Sequence, residues 1–487
     1  MNDSSIIMDD ALLSVFTCAR SLGVYVSAAG YVLIECGSSR SQNAVHSISK
    51  FTIVSAIVFL TWWVLGYTIA FGRPSNGLLG YGGSLILANN DSISRNLDVG
   101  SSLHILLHGI ICLQAVLCTC CSFTERLPMF GHCLHAVLMS GIVFPTICHW
   151  IWSDDGWLYR MGALDVGGST VVAVTSGVSG LIGTFILGPR ITRFSPRQIP
   201  IFGHNLPLTT TGYMMVALGL CCLNCHSNGP YNLNLSYAPR SLSVTFLSGS
   251  SSVIIFTILS KILEYKGKML KRRMHLSISN AMIAGMVAVS AGSGFYPYWA
   301  SIVIGICTAL FYSLISKLLT FIKIDDPADT CSVNISGGVL GTLISVISIP
   351  MMSFQGYRSS ITVSITKMLG TNCLAILCVS IWAGVCYGFL FVVLTMLKVV
   401  RLSYEDELRG IDLCKFGEPA YALRIYCASC GEQLQNQHSN RESLKELQSD
   451  EYIQNPIITE TEGAIVPLEC FLGNSSVIDN YSSSEPC

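Results

Sequence analysis

The chain has 487 residues, of which 51% are hydrophobic and 12% charged, and its formal net charge is −1. Soluble domains carry about 25% charged residues, so this share, set among long uncharged apolar runs, excludes an ordinary soluble protein. The near-neutral net charge says nothing about nucleic acid by itself, but no basic stripe is present, so no nucleic-acid partner is expected. What remains is an all-α polytopic membrane protein whose solvent is the lipid bilayer.

Eleven transmembrane helices are predicted from apolar windows of about 19 residues. The first runs from Ala11 to Ile34 and is interrupted by Arg20. The others fall near 51–71, 103–123, 129–151, 166–187, 206–225, 243–263, 278–296, 298–321, 332–353 and 370–397. Basic residues cluster after spans one (Arg40, Lys50), five (Arg190, Arg193, Arg197) and seven (Lys261 to Arg273). The positive-inside rule makes these loops cytoplasmic, which places the N-terminus outside and the C-terminus inside. The glycosylation sequons at Asn2, Asn90 and Asn234 then all fall outside, as glycan acceptors must. This divides the chain into an extracellular stretch 1–10, a transmembrane domain 11–398, a cytoplasmic tail motif 399–431 and a Ser/Glu-rich tail 432–487. The last has no helical period and reads as disordered.

The 21 cysteines are scattered through apolar runs as small fillers. Cys427 and Cys430 make a lone CxxC, without a second pair or a His at finger spacing, so no metal is expected there. The first apolar run follows Asp9 and Asp10 and lacks the basic start of a signal peptide. No nucleophile–base pair or phosphate loop is visible, so no enzyme and no cofactor is expected.

Asp165 stands just before a run that holds no other charge until Arg190. A carboxylate there is costly to bury. Gly167, Gly168, Ser169 and Thr170 follow it and can supply donors at a helix start. Asp165 is therefore expected to cap span five, and beyond that to make the outer end of a pore attractive to cations.

The sequence around Asp165 carries a resemblance. Gly162 to Asp165, Ser169 to Val172 and Gly177 to Leu181 are similar to the fifth membrane helix of the ammonium transporter family. Further matches follow in order. They are Ala29 to Asn43, with Gln42 where the family has Lys, then Thr124 to Arg126 and His149 to Leu158. Phe202 to Leu208, Asn280 to Gly292, Asp325 to Pro327 and Arg401 to Tyr421 complete the set. The resemblance covers about residues 20–422. It implies two inverted five-helix halves plus one extra helix, a pore in each subunit, a homotrimer, and ammonium or ammonia as the substrate. Trp152, Asp165 and Ser227 fall at cation-recruiting positions; a Trp face holds a partly dehydrated cation. Glu418 and Tyr421 fall in a regulatory tail, expected to pack under neighbouring subunits. Glu35 and Arg40 are expected to pair with each other at the membrane boundary.

The match breaks inside the pore. The family's two facing histidines correspond to Ala173 and Asn334. Its two gating phenylalanines correspond to Ile111 and Leu223, which should leave a wider outer constriction unless neighbours fill the space. Asn334 donates and accepts hydrogen bonds without titrating, and Ala173 does neither. His108, at a family glutamine position one turn before Ile111, is a candidate substitute proton carrier. His104 is four residues earlier on the same face; a metal pair there would need further ligands. Three functions fit: an ammonium or ammonia transporter or channel in the plasma membrane, a non-conducting ammonium sensor, and a neutral gas channel.

Overall fold

Lipid offers no partners to backbone N–H and C=O groups, so an apolar run that enters it must fold as helix. The computed structural model describes residues 3–73, 75–81, 99–194, 201–225, 237–265, 274–348 and 365–421. Among these are 11 helices long and apolar enough to span a bilayer. They are α1 (Ala11–Ser38), α2 (Ser41–Phe71), α3 (Ser102–Ser122), α4 (Met129–Met161), α5 (Ser169–Leu187) and α6 (Leu206–Asn224), followed by α7 (Ala238–Tyr265), α8 (His275–Gly292), α9 (Tyr298–Phe321), α10 (Thr330–Ser348) and α11 (Ile365–Met396). A short helix, α12 (Tyr404–Arg409), lies in the tail.

Span existence agrees with the hydropathy reading, and one boundary differs in a way that matters. The second helix starts at Ser41 rather than 51, so Lys50 is not a loop residue. It is buried inside α2. It pairs there with Glu35 of α1. The expected Glu35–Arg40 pair is therefore not formed. Arg40 instead pairs with Glu125, Nε to Oε1, at 3.2 Å. One extra helical stretch brought a cation into reach that the loop reading had placed in water.

Small residues let the halves touch. A Cβ on Gly30 of α1 would meet the Gly212 carbonyl of α6 at 2.7 Å, so these two helices meet backbone to backbone. The two halves also repeat a capping device in opposite senses. Asp165 precedes α5 and accepts four backbone N–H groups, from Gly168 to Val171. Asp326 precedes α10 and accepts from the Cys331 and Ser332 N–H groups and the Thr330 hydroxyl. A carboxylate at the start of the fifth helix of each half is what an inverted repeat predicts.

The helix ends away from Asp165 are tied by charge. The Arg190 guanidinium grips Asp325 with Nε at 2.7 Å and Nη2 at 3.1 Å, and reaches Glu125 Oε2 with Nη1 at 3.0 Å. Arg193 adds a contact to Asp325 at 3.1 Å. Glu125 also accepts from Asn43 Nδ2 at 2.9 Å. Burial alone would raise the Glu125 carboxyl, but Arg40 and Arg190 outweigh it and hold it down to about 2. Asp325 is likewise held far below the usual carboxylate range, by Arg190 and Arg126 against burial. Buried charges survive only when matched this closely.

The tail seats on this frame. Arg401 donates to the Leu187 and Pro189 carbonyls and pairs with Glu407. Asp412 accepts from the Val45 and His46 N–H groups, both at 2.9 Å, and so caps the start of α2. Tyr421 donates to His204 Nε2 at 2.8 Å, while His204 Nδ1 faces the Ser39 carbonyl. Glu418 is exposed. These contacts lie within one chain. The CxxC at Cys427 and Cys430 and the tail 432–487 lie outside the described residues.

Candidate functional site

The site begins at Asp165. The chain turns from α4 into α5 through Gly168, whose φ of +93° favours glycine. That turn aims four consecutive N–H groups at one carboxylate, at 2.7–2.9 Å. Only 1% of Asp165 is exposed. Burial pushes its carboxyl up to about 6, against the pull of the same N–H groups. The capping role is thus the one the geometry shows directly. What Asp165 presents to its neighbour is its main chain: Trp152 Nε1 donates to its carbonyl at 2.6 Å. The helix then opens as a wide π turn over Ser169–Val174, a form often found at functional sites.

Trp152 is joined by rings that the sequence reading only partly anticipated. The His108 ring stands edge-on to it at 5.7 Å, and His104 lies over His108 at 4.1 Å. Phe71 of α2 packs edge-on against both histidines, at 4.6 and 4.8 Å. His108 Nδ1 faces the His104 carbonyl at 3.0 Å and so carries the proton there, leaving Nε2 as the basic nitrogen. No span had marked Phe71 as part of the site, because a Phe at a helix end looks like any lipid-facing residue. Arg20 also lies at this end. It donates to the Cys222 and Leu223 carbonyls, both at 3.1 Å, and so neutralises the C-terminal end of α6.

Below this aromatic layer, Ile111 and Leu223 are each 1% exposed.

The centre is polar but uncharged. Asn334 of α10 donates from Nδ2 to the Thr330 carbonyl at 2.7 Å and meets Cys118 Sγ of α3 at 2.9 Å. The hydroxyls of Ser176 on α5 and Tyr31 on α1 lie close to Cys118. Tyr31 in turn meets the side chain of Gln114. Ala173 is buried one turn above Gly177. A Cβ on Gly177 would lie 3.2 Å from the Asn334 Cβ, so α5 and α10 touch there. Four helices bring uncharged polar groups together in one small station. Tyr31, Gln114 and Cys118 were not singled out from the sequence. A glutamine in the middle of an otherwise uncharged span was the available signal.

The structure therefore brings Trp152, Asp165 and His108 together at one end, and gathers Asn334 and the α5 face below Ala173 at the centre. Ser227, Asn2, Asn90 and Asn234 lie outside the described residues. Among the described residues no group of three or more His, Cys, Asp or Glu side chains is placed to hold a metal ion.

Comparison with known proteins matches this arrangement. The model of the Ammonium Transporter Family matches residues 14–421. The chain is 26% identical over 426 residues to Ammonium transporter 1 member 1 of Arabidopsis thaliana, covering 80% of this chain and 81% of that one. It is 27% identical over 452 residues to Putative ammonium transporter 1 of Caenorhabditis elegans, covering 85% and 79%. Among solved structures it is similar to a Sensor Amt Protein, with TM-score 0.73 and 23% identity, covering 82% of this chain and 97% of that one. Mep2 of Saccharomyces cerevisiae follows with TM-score 0.67 and 23% identity, covering 80% and 87%.

Proposed function

The chain belongs to the ammonium transporter family, and from that premise we propose that it moves ammonium nitrogen across a membrane through the path between Trp152 and Asn334. It is an integral membrane protein. Trp152, with the carbonyl of Asp165 and with Ser227, recruits the cation at the outer mouth. The centre then carries nitrogen past hydrogen-bonding groups that do not titrate. The observation that carries this reading is the neutral station of Tyr31, Gln114, Cys118, Ser176 and Asn334 at the positions where the path crosses the membrane. Buried polar groups in lipid are costly and mark a route.

The same neutrality bears on the form that crosses. Ala173 and Asn334 hold no exchangeable charge, so a proton cannot pass between them. Ammonia passes, and the proton is left at the outer mouth, where the His108 imidazole stands beside Trp152. The protein acts as a homotrimer in the plasma membrane, with its N-terminus outside and the tail inside.

Ala173 and Asn334, standing where the family has its two histidines, favour a second reading, a non-conducting ammonium sensor that signals through the seated tail. The two readings part in liposomes. An ammonium pulse is applied while current and internal pH are recorded. Transport gives an internal pH rise, which Trp152→Leu weakens. Silence in both channels with ammonium still bound at the mouth leaves the sensor. Asp165→Ala is a poor control, because it orphans four buried N–H groups and so tests folding rather than recruitment.

A further inference from the structure

Resting on the transport reading above, we propose that Gln114 is the hydrogen-bond acceptor that takes neutral ammonia at the midpoint of the path, and that it sets the preference for ammonia over water. Gln114 lies near the middle of α3, a helix with no charged residue. Only 1% of it is exposed. Its Oε1 has no partner among the described residues, while the other side chains of the station meet one another. A buried acceptor left unmet is costly, and an apolar residue of similar volume would remove that cost. Retention of the amide therefore points to a ligand that supplies the missing donor.

Position agrees with chemistry. Ile111, Gln114 and Cys118 are spaced by three and four residues, which sets them along one face of α3. Gln114 is one turn from Cys118, which meets Asn334, and one turn from Ile111 at the outer constriction. A molecule moving from the mouth to the station passes Gln114 first. An amide oxygen accepts one N–H of ammonia and cannot take its proton. One neutral acceptor does not replace the hydration shell of ammonium, so the charged form gains too little there to enter. Water offers the same donor but must also shed more hydrogen bonds to enter an apolar file one molecule at a time.

Purified full-length protein in liposomes tests this. External pH is held near 8, an ammonium chloride pulse is applied, and the internal pH rise is recorded for the native chain, Gln114→Leu and Gln114→Met. Osmotic water permeability is measured on the same vesicles. The native chain should show the rise, and both variants should lower its rate about 5–10-fold, the size expected for one lost hydrogen bond. Water permeability should stay at the level of protein-free vesicles throughout. A native chain that conducts, with both variants unchanged or faster, overturns the role of Gln114 and leaves transport standing. Water flux that falls with ammonia flux overturns the selectivity claim. A native chain that gives no rise overturns the transport reading itself, and this inference with it. Thermal unfolding in detergent reports on folding: each variant removes an unmet oxygen together with the amide group beside Tyr31, so both should melt close to the native chain.

Discussion

Two regions bury polar side chains in this protein, and they do it in opposite ways. At the Glu125 end, full charges are packed to zero side-chain exposure, and each carboxylate is gripped by guanidinium or amide groups. At the centre, the station of Tyr31, Gln114, Cys118 and Asn334 holds no charge at all. The first arrangement is rigid because every partner would be left with a bare buried charge if the other moved. The second can part and rejoin, because neutral hydrogen bonds are individually weak. A transporter needs both kinds: a frame that does not yield, and a path whose groups bind weakly enough to let go.

The sharpest way to break the comparison is to remove the charge that both carboxylates share. Arg190→Ala leaves Asp325 buried without its main partner and Glu125 without one of its two guanidinium partners, and should cost about 3–5 kcal/mol. Thermal unfolding in detergent would show it as a large drop or as failure to express folded protein. Arg190→Lys should recover part of the loss, since an ammonium cannot grip Asp325 with two nitrogens. Next in size is Asp165→Ala, which orphans four N–H groups and should cost about 2–3 kcal/mol, read by the same unfolding assay. Asp165→Asn keeps an acceptor and should cost less.

At the neutral station the same assays should register far less. Asn334→Leu removes two contacts without stranding a charge, and should change stability by about 1 kcal/mol or less. Its effect belongs in the liposome assay, as a slower pH rise. A melting loss comparable to that of Arg190→Ala would show that the centre is frame rather than path.

The smallest effect concerns the tail. Burial pushes the Asp412 carboxyl up to about 6, against the pull of the His46, Val45 and Ala44 N–H groups. An unfolded Asp titrates near 3.9. The seated tail therefore holds the proton more tightly than the free tail does between these values. This contribution to seating is fully present below about pH 4 and is lost as pH rises through about 6. Protease protection of the bonds after Arg409 and Lys415 should be greater at pH 5.5 than at pH 7.5. Asp412→Asn should remove that difference while keeping the segment seated. The asparagine variant keeps the hydrogen-bond acceptor without the titration, and so isolates Asp412 from every other group.

Much of this could be read from the chain and some could not. Asp165 was legible as a cap because its donors follow it within six residues. Glu35 was assigned to Arg40 because they are near in sequence, yet Lys50 satisfies it. The window method trimmed the polar start of α2, and the missing turns carried Lys50 inward. Phe71 could not be assigned to the mouth, since nothing local distinguishes a ring that faces His104 from one that faces lipid. Gln114 was not singled out from the sequence, because an unmet amide oxygen exists only once the helices around it have packed.

The sequence by itself determined the number of spans, their all-α character, the family and the cap at Asp165, because hydropathy and capping act over one or two turns. Tertiary structure alone decided which charges pair, which rings stand around Trp152, and that the centre is a neutral station. These depend on groups from four helices that meet only after packing, and the energy of a buried polar group is set by what lies across from it.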